Sequence, residues 1–523
     1  MKIDPAAAPR FDAGSFEHPV RGLETVETHL SWIILTGDYA YKIKKPVRFE
    51  FIDATTLEAR RSLCEAELAL NRRLAPDLYL DVVPLRQSGD RLRCFGSGPV
   101  VDYAVRMVQF DRSQELAALL AAGDVRADEI AELATLLADF HASEPAVEHA
   151  AAEGEPQQVR RLLLHNADEL IALCDAASAT RVAELRDWLD ARFAALQPLL
   201  AARKAAGRVR EGHGDLHARN ILRWRGRLTP FDRLEFDAAL RRGDVALDLA
   251  FLYMDLESKG RTDLAAVLLD RYCSHGGDYG LLQVLDVYAV HRALVRAKID
   301  ALQMHGAVRP ELRAAAATQL AARLDTATRL ASPREPVLML MHGVSGSGKS
   351  WLSAAAVPVL PAIRVRSDVE RRRVLGLHRD SATDSPVDGG AYASDVNDQT
   401  YLRLLDCARN ALSAHRHVIV DATFLEPARR RPFFALAAEL GCRVLIIACR
   451  APRAELQRRV AARAAAGHDP SEATPDVLAQ QLQREHALLP FERAHALELD
   501  TAGVADPGPL LAALLAALKT RWT

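Results

Sequence analysis

The 523-residue chain has no run of eighteen uninterrupted apolar residues, so the sequence gives no support to a helical membrane span. Its first residues, MKIDPAAAPR, lack the apolar core of a secretory leader, and a cytoplasmic location is expected. Cysteine is sparse: Cys64, Cys94, Cys174, Cys273, Cys407, Cys442 and Cys449 are odd in number and form no CxxC pair. That argues against a disulfide framework and a cysteine-built zinc site, and predicts reduced thiols. Nor is there an excess of one charge, since 67 basic residues against 69 acidic ones leave a net charge of −2. Such a balance argues against a nucleic-acid surface over the whole molecule, though a local basic cleft is compatible with it. No internal repeat is visible.

What is present is a globular composition, 49% hydrophobic and 26% charged, in a chain too long for one core. Residues 31–110 alternate short apolar runs with turn signals and read as hairpin strands, interrupted by a helical stretch at 57–74. Residues 115–208 carry helical periodicity throughout. Short strands return at 209–252, and helices then run to about residue 330. Ala331-Ser332-Pro333-Arg334-Glu335-Pro336 holds two prolines within four residues and no apolar period, so it reads as a linker. Beyond it, apolar runs at 337–341, 363–365, 418–420, 444–448 and 496–499 alternate with helices, which predicts a parallel sheet wrapped by helices. The domain reading is therefore 1–330, a linker at 331–336, and 337–523.

Gly343-Val344-Ser345-Gly346-Ser347-Gly348-Lys349-Ser350 satisfies GxxxxGK[ST] between an apolar strand and a helical run. Glycines there let successive backbone N–H groups curl around phosphates, and the following helix N-terminus adds positive potential. Gly343, Ser345, Gly346, Ser347, Gly348 and Lys349 would cradle ATP, with Ser350 on Mg²⁺. Asp421 ends the strand at 417–420, the place for a metal-organising acid. Asp368 ends the preceding strand and could accept a proton from an acceptor hydroxyl. A helix cap or a surface acid is the alternative for each. Arg459 and Arg463 lie four apart on the helical stretch 452–465, which suits a lid folding over transferring phosphate. Arg458 is an alternative to Arg459, and a solvated basic face is an alternative to both.

The segments GVSGSGKS, Arg366–Arg371, VIVDATF and RRVAAR resemble the P-loop kinases that include polynucleotide kinases and zeta toxins. The resemblance covers about 336–523 and implies phosphotransfer, with the acceptor left open.

A second constellation lies at His213-Gly214-Asp215-Leu216-His217-Ala218-Arg219-Asn220, where Asp215 and Asn220 have the spacing of a kinase catalytic loop. Asp215 would orient and deprotonate an acceptor hydroxyl, and Asn220 would hold Mg²⁺. A hairpin turning at Arg225-Gly226-Arg227 returns the chain to Asp232, a second metal carboxylate. Triphosphate charge has to be neutralised by metal held from two sides. Asp244 and Asp248 read as structural, with Asp248 hydrogen-bonding backbone near the loop.

HGDLHxxN followed by FD and GDxxxDLAFL resembles the aminoglycoside phosphotransferase and choline kinase superfamily over residues 20–320. The resemblance implies a bilobal protein-kinase-like fold, an α+β domain ahead of the α/β P-loop domain. It also implies a phosphate-binding lysine in YAYKIKKP. Strand alternation puts Lys42 and Lys44 on one face. Lys44 is preferred by its distance from Pro46, and an ordinary edge-strand lysine is the alternative. Its acidic helix partner would be Glu67 in preference to Glu65, and the adenine hinge would lie at 106–110. The longer gap between Asp232 and Asp244 makes Asp237 a rival metal ligand. Arg292, Arg296 and Lys298 suit either an anionic pocket or, more simply, a solvated helix face.

Together these readings predict a bifunctional ATP-dependent phosphotransferase. The first domain would take a small hydroxyl compound, and the second a small molecule or a nucleic-acid end. One active kinase beside a nucleotide-sensing domain, or a non-catalytic ATP switch, is the alternative.

Overall fold

A computed structural model describes residues 8–49, 52–148, 150–306, 309–377, 394–466 and 474–520. By packing, the chain forms two compact units: Met1–Leu133, Phe140–Leu162 and Gln197–Asp255 make the first, and Ala134–Asp139, Leu163–Leu196 and Leu256–Thr523 the second. Packing thus groups residues 256–331 with the P-loop half of the chain, across the 331–336 segment.

In the first unit, strands β1 (Glu24–Glu27), β2 (Ser31–Leu35) and β3 (Tyr39–Lys44) are followed by a small ribbon, β4 (Arg48–Phe49) and β5 (Ile52–Asp53). After the helix Leu57–Asn71 come β6 (Tyr79–Ser88), β7 (Arg91–Arg93) and β8 (Val100–Val108). Six of these strands form one antiparallel sheet in the order β1-β2-β3-β8-β6-β7. The period of two sends Trp32, Ile34, Tyr41, Ile43 and Leu85 into one apolar cluster. On β3 it sends Lys42 and Lys44 the other way, where both meet Glu67 of the helix.

A second cluster joins Cys64, Leu78, Tyr79, Val105 and Met107 to Leu222 and Phe231 of the segment that carries the kinase-type loop. That segment is built from β9 (Val209–Glu211), β10 (Ile221–Trp224), β11 (Arg227–Pro230) and β12 (Arg242–Asp244), with β9 pairing β12 and β10 pairing β11. Trp224 pairs Arg227 across a two-residue turn in which Arg225 and Gly226 have φ of 50° and 81°. Two positive φ values in succession match the strand twist, and Gly226 meets that need without strain.

The second unit contains a five-stranded, wholly parallel sheet: β13 (Val337–His342), β14 (Ala362–Arg366), β15 (His417–Asp421), β16 (Arg443–Arg450) and β17 (Ala496–Asp500). Its order is β14-β15-β13-β16-β17. Every residue of the central strand β13 is buried, as a strand covered by helices on both faces requires. The strands coincide with the apolar runs read from the sequence. Three helices, Thr262–Gly276, Leu281–Gly306 and Pro310–Ala331, belong to the same unit, and the last two pack together along their length. The first of them reaches the sheet edge: Asp270 Oδ1 accepts the backbone N–H of Arg364 in β14 at 2.6 Å. An edge amide otherwise open to stray pairing is thereby satisfied. Among the described residues, no helix is long and apolar enough to cross a membrane.

Two candidate phosphate-transfer sites

In the second unit the chain leaves β13 through the glycine loop and enters the helix Lys349–Val359. Close approach fixes the glycines. A Cβ on Gly343 (φ 134°) would sit 2.5 Å from the Cys449 carbonyl, and one on Gly346 (φ 83°) 2.9 Å from that of Leu456. Lys349 Nζ donates to the Val344 carbonyl at 2.8 Å, folded over its own loop. Burial lowers its pKa, and the nearby Asp421 carboxylate pushes the other way. A buried ammonium beside the amides of a glycine loop is suited to receive phosphate oxygens.

Asp421 closes β15 one strand away. Its two oxygens accept hydrogen bonds from Ser350 Oγ at 3.2 Å and Ser353 Oγ at 3.0 Å. A hydroxyl and a carboxylate are hard oxygen donors, and two of them leave the remaining positions of an octahedral Mg²⁺ to phosphate and water. Among the described residues no cluster of three or more His, Cys, Asp or Glu side chains is placed to hold a metal alone. The donor set fits a metal that arrives with a nucleotide.

Asp368, in the first turn of the helix Ser367–Val374, pairs with Arg371 at 3.0 Å. Both line a cleft of about 310 Å³ together with Lys349, Ser350, Asp421, Arg459 and Arg463. Arg458 is directed elsewhere: it pairs with Glu455 and stays largely exposed. Arg459 is the inward member. Its guanidinium donates to the Gly346 carbonyl at 3.2 Å and to Thr501 Oγ1 and O at 3.0 and 2.7 Å. In this arrangement Arg459 braces the loop. Arg463 lies on the same helix, Arg453–Ala466. Residues 467–473, which follow that helix, lie outside the described residues.

Sequence reasoning missed Thr501, whose hydroxyl donates to the Ser347 carbonyl at 3.0 Å, and Gln481, whose side chain accepts the Ser345 N–H at 2.7 Å. Both come from far along the chain, without a local signal.

In the first unit, Asn220 Nδ2 donates to Asp215 Oδ2 and to its carbonyl, each at 3.0 Å. This bond leaves Asn220 Oδ1 available as an oxygen ligand. The loop is shaped by Asp248, whose carboxylate accepts the His213 and Gly214 N–H groups at 2.8 and 2.9 Å. His141 Nε2 sits 3.0 Å from the same carboxylate. Asp255 holds the Ala218 N–H at 2.9 Å.

Asp232 follows the hairpin in a left-handed conformation (φ 60°), its N–H donated to the Tyr79 hydroxyl at 3.0 Å. Lys42 Nζ lies 2.5 Å from Asp232 Oδ1 and 2.7 Å from Glu67 Oε1. Partial burial opposes the Asp232 charge, but the Lys42 ammonium prevails and holds the Asp232 pKa down, to about 2.

Lys44, preferred from the sequence, takes a different place: it pairs with the other Glu67 oxygen at 2.6 Å and with Glu235, deeper in the protein. Lys42 is therefore the lysine beside Asp232. Glu65 pairs with Arg61 on the exposed side of its helix, whereas Glu67 is wholly buried between the two lysines. Asp237, the rival ligand, caps the short helix Ala238–Arg241 by accepting the Ala239 N–H at 2.8 Å. Within the expected hinge at 106–110, two backbone donors are engaged by the protein itself. The Val108 and Gln109 N–H groups donate to the Leu78 and Asp38 carbonyls, both at 2.9 Å. Lys298 pairs with Glu169 at 2.8 Å.

Residues 338–488 match the AAA domain family. Among solved structures, a glucosamine kinase matches at 16% identity over 60% of this chain and 75% of its own, with a TM-score of 0.36. A gluconokinase from Sinorhizobium meliloti 1021 matches at 18% identity over 35% of this chain and 93% of its own, TM-score 0.26. The Mycobacterium tuberculosis APS kinase, in complex with AMPPNP and APS, matches at 18% identity over 36% of this chain and all of its own, TM-score 0.26. Along nearly the whole chain, two uncharacterized proteins are similar at 30% identity over 500 residues. They are Rv2004c of Mycobacterium tuberculosis (strain ATCC 25618 / H37Rv) and Mb2027c of Mycobacterium bovis (strain ATCC BAA-935 / AF2122/97). That match spans 95% of this chain and 96% of theirs, and the chain belongs to the same family as these two mycobacterial proteins.

Proposed function

We propose that this chain is a bifunctional ATP-dependent phosphotransferase, with a phosphoryl-transfer site at each constellation. The observation that carries the reading is the joining of Ser350 to Asp421 beside Lys349 in the glycine loop. It is supported by the match of residues 338–488 to the AAA domain family. In the first unit, the reading rests on Asn220 bonded to Asp215, with Lys42, Glu67 and Asp232 joined in one ion-pair chain.

In each site Mg²⁺ would screen the triphosphate, held by Ser350 and Asp421 in one and by Asn220 and Asp232 in the other. The protein's own part is positional. Loop amides and Lys349, or Lys42 steadied by Glu67, fix the phosphates. Asp368, or Asp215, accepts the proton of an acceptor hydroxyl. The acceptor oxygen bonds to the γ-phosphorus as the bond from that phosphorus to the ADP oxygen breaks, and the proton rests on the carboxylate. The bilobal, aminoglycoside-phosphotransferase-like reading of residues 1–330 and the P-loop reading of 337–523 are part of this proposal.

Labelled ATP offered with a panel of metabolites and nucleic-acid ends tests it. Asp215→Asn should remove one product and Lys349→Ala another. Products untouched by both substitutions, or none in wild type, would sink the reading.

A further inference from the structure

Two histidines flank Asp215 in the kinase-type loop, and they are bonded differently. His213 is wholly buried with both ring nitrogens engaged: Nε2 donates to the Phe231 carbonyl at 2.9 Å, and Nδ1 accepts the Asp215 N–H at 3.4 Å. Its bonds shape the loop. His217 is nearly as deep, with a side chain 9% exposed, yet its Nδ1 is buried and has no hydrogen-bond partner among the described residues. Its Nε2 lies 3.4 Å from Asp215 Oδ2. The ring stands edge-on to Phe251 of the helix Val245–Ser258, with 5.4 Å between centroids. The backbone of His217 is tied at both ends, its N–H to the Asp215 carbonyl and its own carbonyl to the Asn220 N–H, each at 2.9 Å.

These surroundings select where the ring proton of His217 sits. A proton on Nδ1 would strand a buried donor and set two bare lone pairs, on Nε2 and Oδ2, against each other. A proton on Nε2 is received by the carboxylate and leaves at Nδ1 only a lone pair. Asp215 Oδ2 then takes two donors, His217 Nε2 and Asn220 Nδ2, the latter at 3.0 Å. Among the described residues no donor reaches Oδ1, and the Asp215 side chain is 39% exposed. A carboxylate held by one donor can swing about its own Cβ–Cγ bond. Two donors arriving from different positions fix its plane and decide which oxygen turns outward. A separation of 3.4 Å is long for a formed bond and ordinary for a catalytic one before the reactants are in place.

We propose that His217 is a positioning residue of the first site: its Nε2–H, together with Asn220 Nδ2, pins Asp215 Oδ2 and so presents Oδ1 to the acceptor hydroxyl. This rests on the kinase reading of that site. The proton passes from the hydroxyl to Oδ1 as the acceptor oxygen bonds to the γ-phosphorus and the bond from that phosphorus to the ADP oxygen breaks. His217 itself neither gains nor loses a proton in the step.

Three substitutions in the full chain separate this role from packing, read with labelled ATP and the acceptor panel on the product that Asp215→Asn removes. The amide nitrogen of His217→Gln reaches the Nε2 position, that of His217→Asn reaches only the Nδ1 position, and His217→Leu fills the space without a donor. His217→Leu and His217→Asn should each lower kcat for that product about tenfold or more, with KM for ATP within about twofold of wild type. His217→Gln should keep kcat within about threefold of wild type. A packing role predicts the reverse order, since leucine suits the apolar Phe251 face better than an amide does. Equal kcat for His217→Gln and His217→Asn, undiminished kcat for His217→Leu, or a loss carried by KM for ATP would overturn the proposal. Should His217→Leu not fold, His217→Gln against His217→Asn decides alone. If wild type yields no product that depends on Asp215, the kinase reading of the first site falls and the proposal with it.

Discussion

Lys42 and Asp232 form an ion pair at 2.5 Å, although one lies on β3 and the other 190 positions later in the chain. The groups that would hold nucleotide phosphate and metal thus neutralise each other in the described arrangement. The Asp232 side chain remains 41% exposed and can exchange partners readily, while Glu67, wholly buried, stays behind as the fixed counter-charge.

This separates the two lysines experimentally. Lys42→Ala should lower first-site transfer by about 10²-fold or more, the scale of losing one preorganised electrostatic contact, with the melting temperature little changed. Lys44→Ala should leave Glu235 and Glu67 buried beside each other and cost about 3–5 kcal/mol of stability. Thermal unfolding beside the transfer assay decides it, and the opposite pattern would return the phosphate role to Lys44.

Arg459 and Arg458 are neighbours in sequence with different surroundings. Arg459→Ala removes bonds to Gly346 and Thr501 and should weaken nucleotide binding at the P-loop by at least tenfold. Arg458→Ala removes an exposed pair with Glu455 and should change stability by less than about 0.5 kcal/mol. Titration of a fluorescent ATP analogue into both variants reads the contrast.

His291 gives a pH dependence with a definite sign. Burial, with the Arg292 and Lys298 charges adding, pushes its pKa down to about 3. The folded imidazole stays neutral while the unfolded one gains a proton below about 6.5. Stability of the second unit should therefore decline as pH falls from there toward 3, by at most about 1.4 kcal/mol per pH unit from this residue. Urea unfolding at pH 7 and pH 5 should show that decline in wild type and a smaller one in His291→Leu.

Glu370 is wholly buried, within reach of the Tyr279 hydroxyl at 3.3 Å, Arg403 Nε at 3.1 Å and Arg373. It lies on the helix that carries Asp368 and Arg371. Glu370→Ala should cost about 3–5 kcal/mol by stranding those arginines, whereas Tyr279→Phe, losing one neutral partner, should cost about 0.5–1.5 kcal/mol. Tyr279→Phe should also reduce second-site transfer while leaving first-site transfer unaltered, because it loosens the helix that carries Asp368.

The P-loop strands and the glycine loop were legible because their signals are local: apolar runs, a fixed glycine spacing and the helix that follows. Asp215 and Asn220 were legible for the same reason, and their hydrogen bond spans only five residues. The choice between Lys42 and Lys44 was not, since both share one strand face and only the position of Asp232 tells them apart. Nothing local in the sequence says that Glu235 becomes buried against Lys44. Gln109, expected at the hinge, uses its side chain to accept the Thr36 and Gly37 N–H groups at 3.0 and 2.8 Å, a turn-to-strand contact without periodicity. Thr501 and Gln481 reach the loop from distant elements, so one sequence alone does not connect them to it.

The bond from Asp270 to the backbone of β14 bears on how such a chain could be cut and rejoined. A P-loop half beginning at residue 337 would carry an edge amide with its cap removed, and would lose Tyr279 and the Gly277 carbonyl that receives Arg403 at 2.7 Å. The boundary drawn by prolines and the boundary drawn by packing are different. A gene fusion or a chimaera that respects the packing has to move residues 256–331 with the phosphate loop, whatever the sequence of the linker between them.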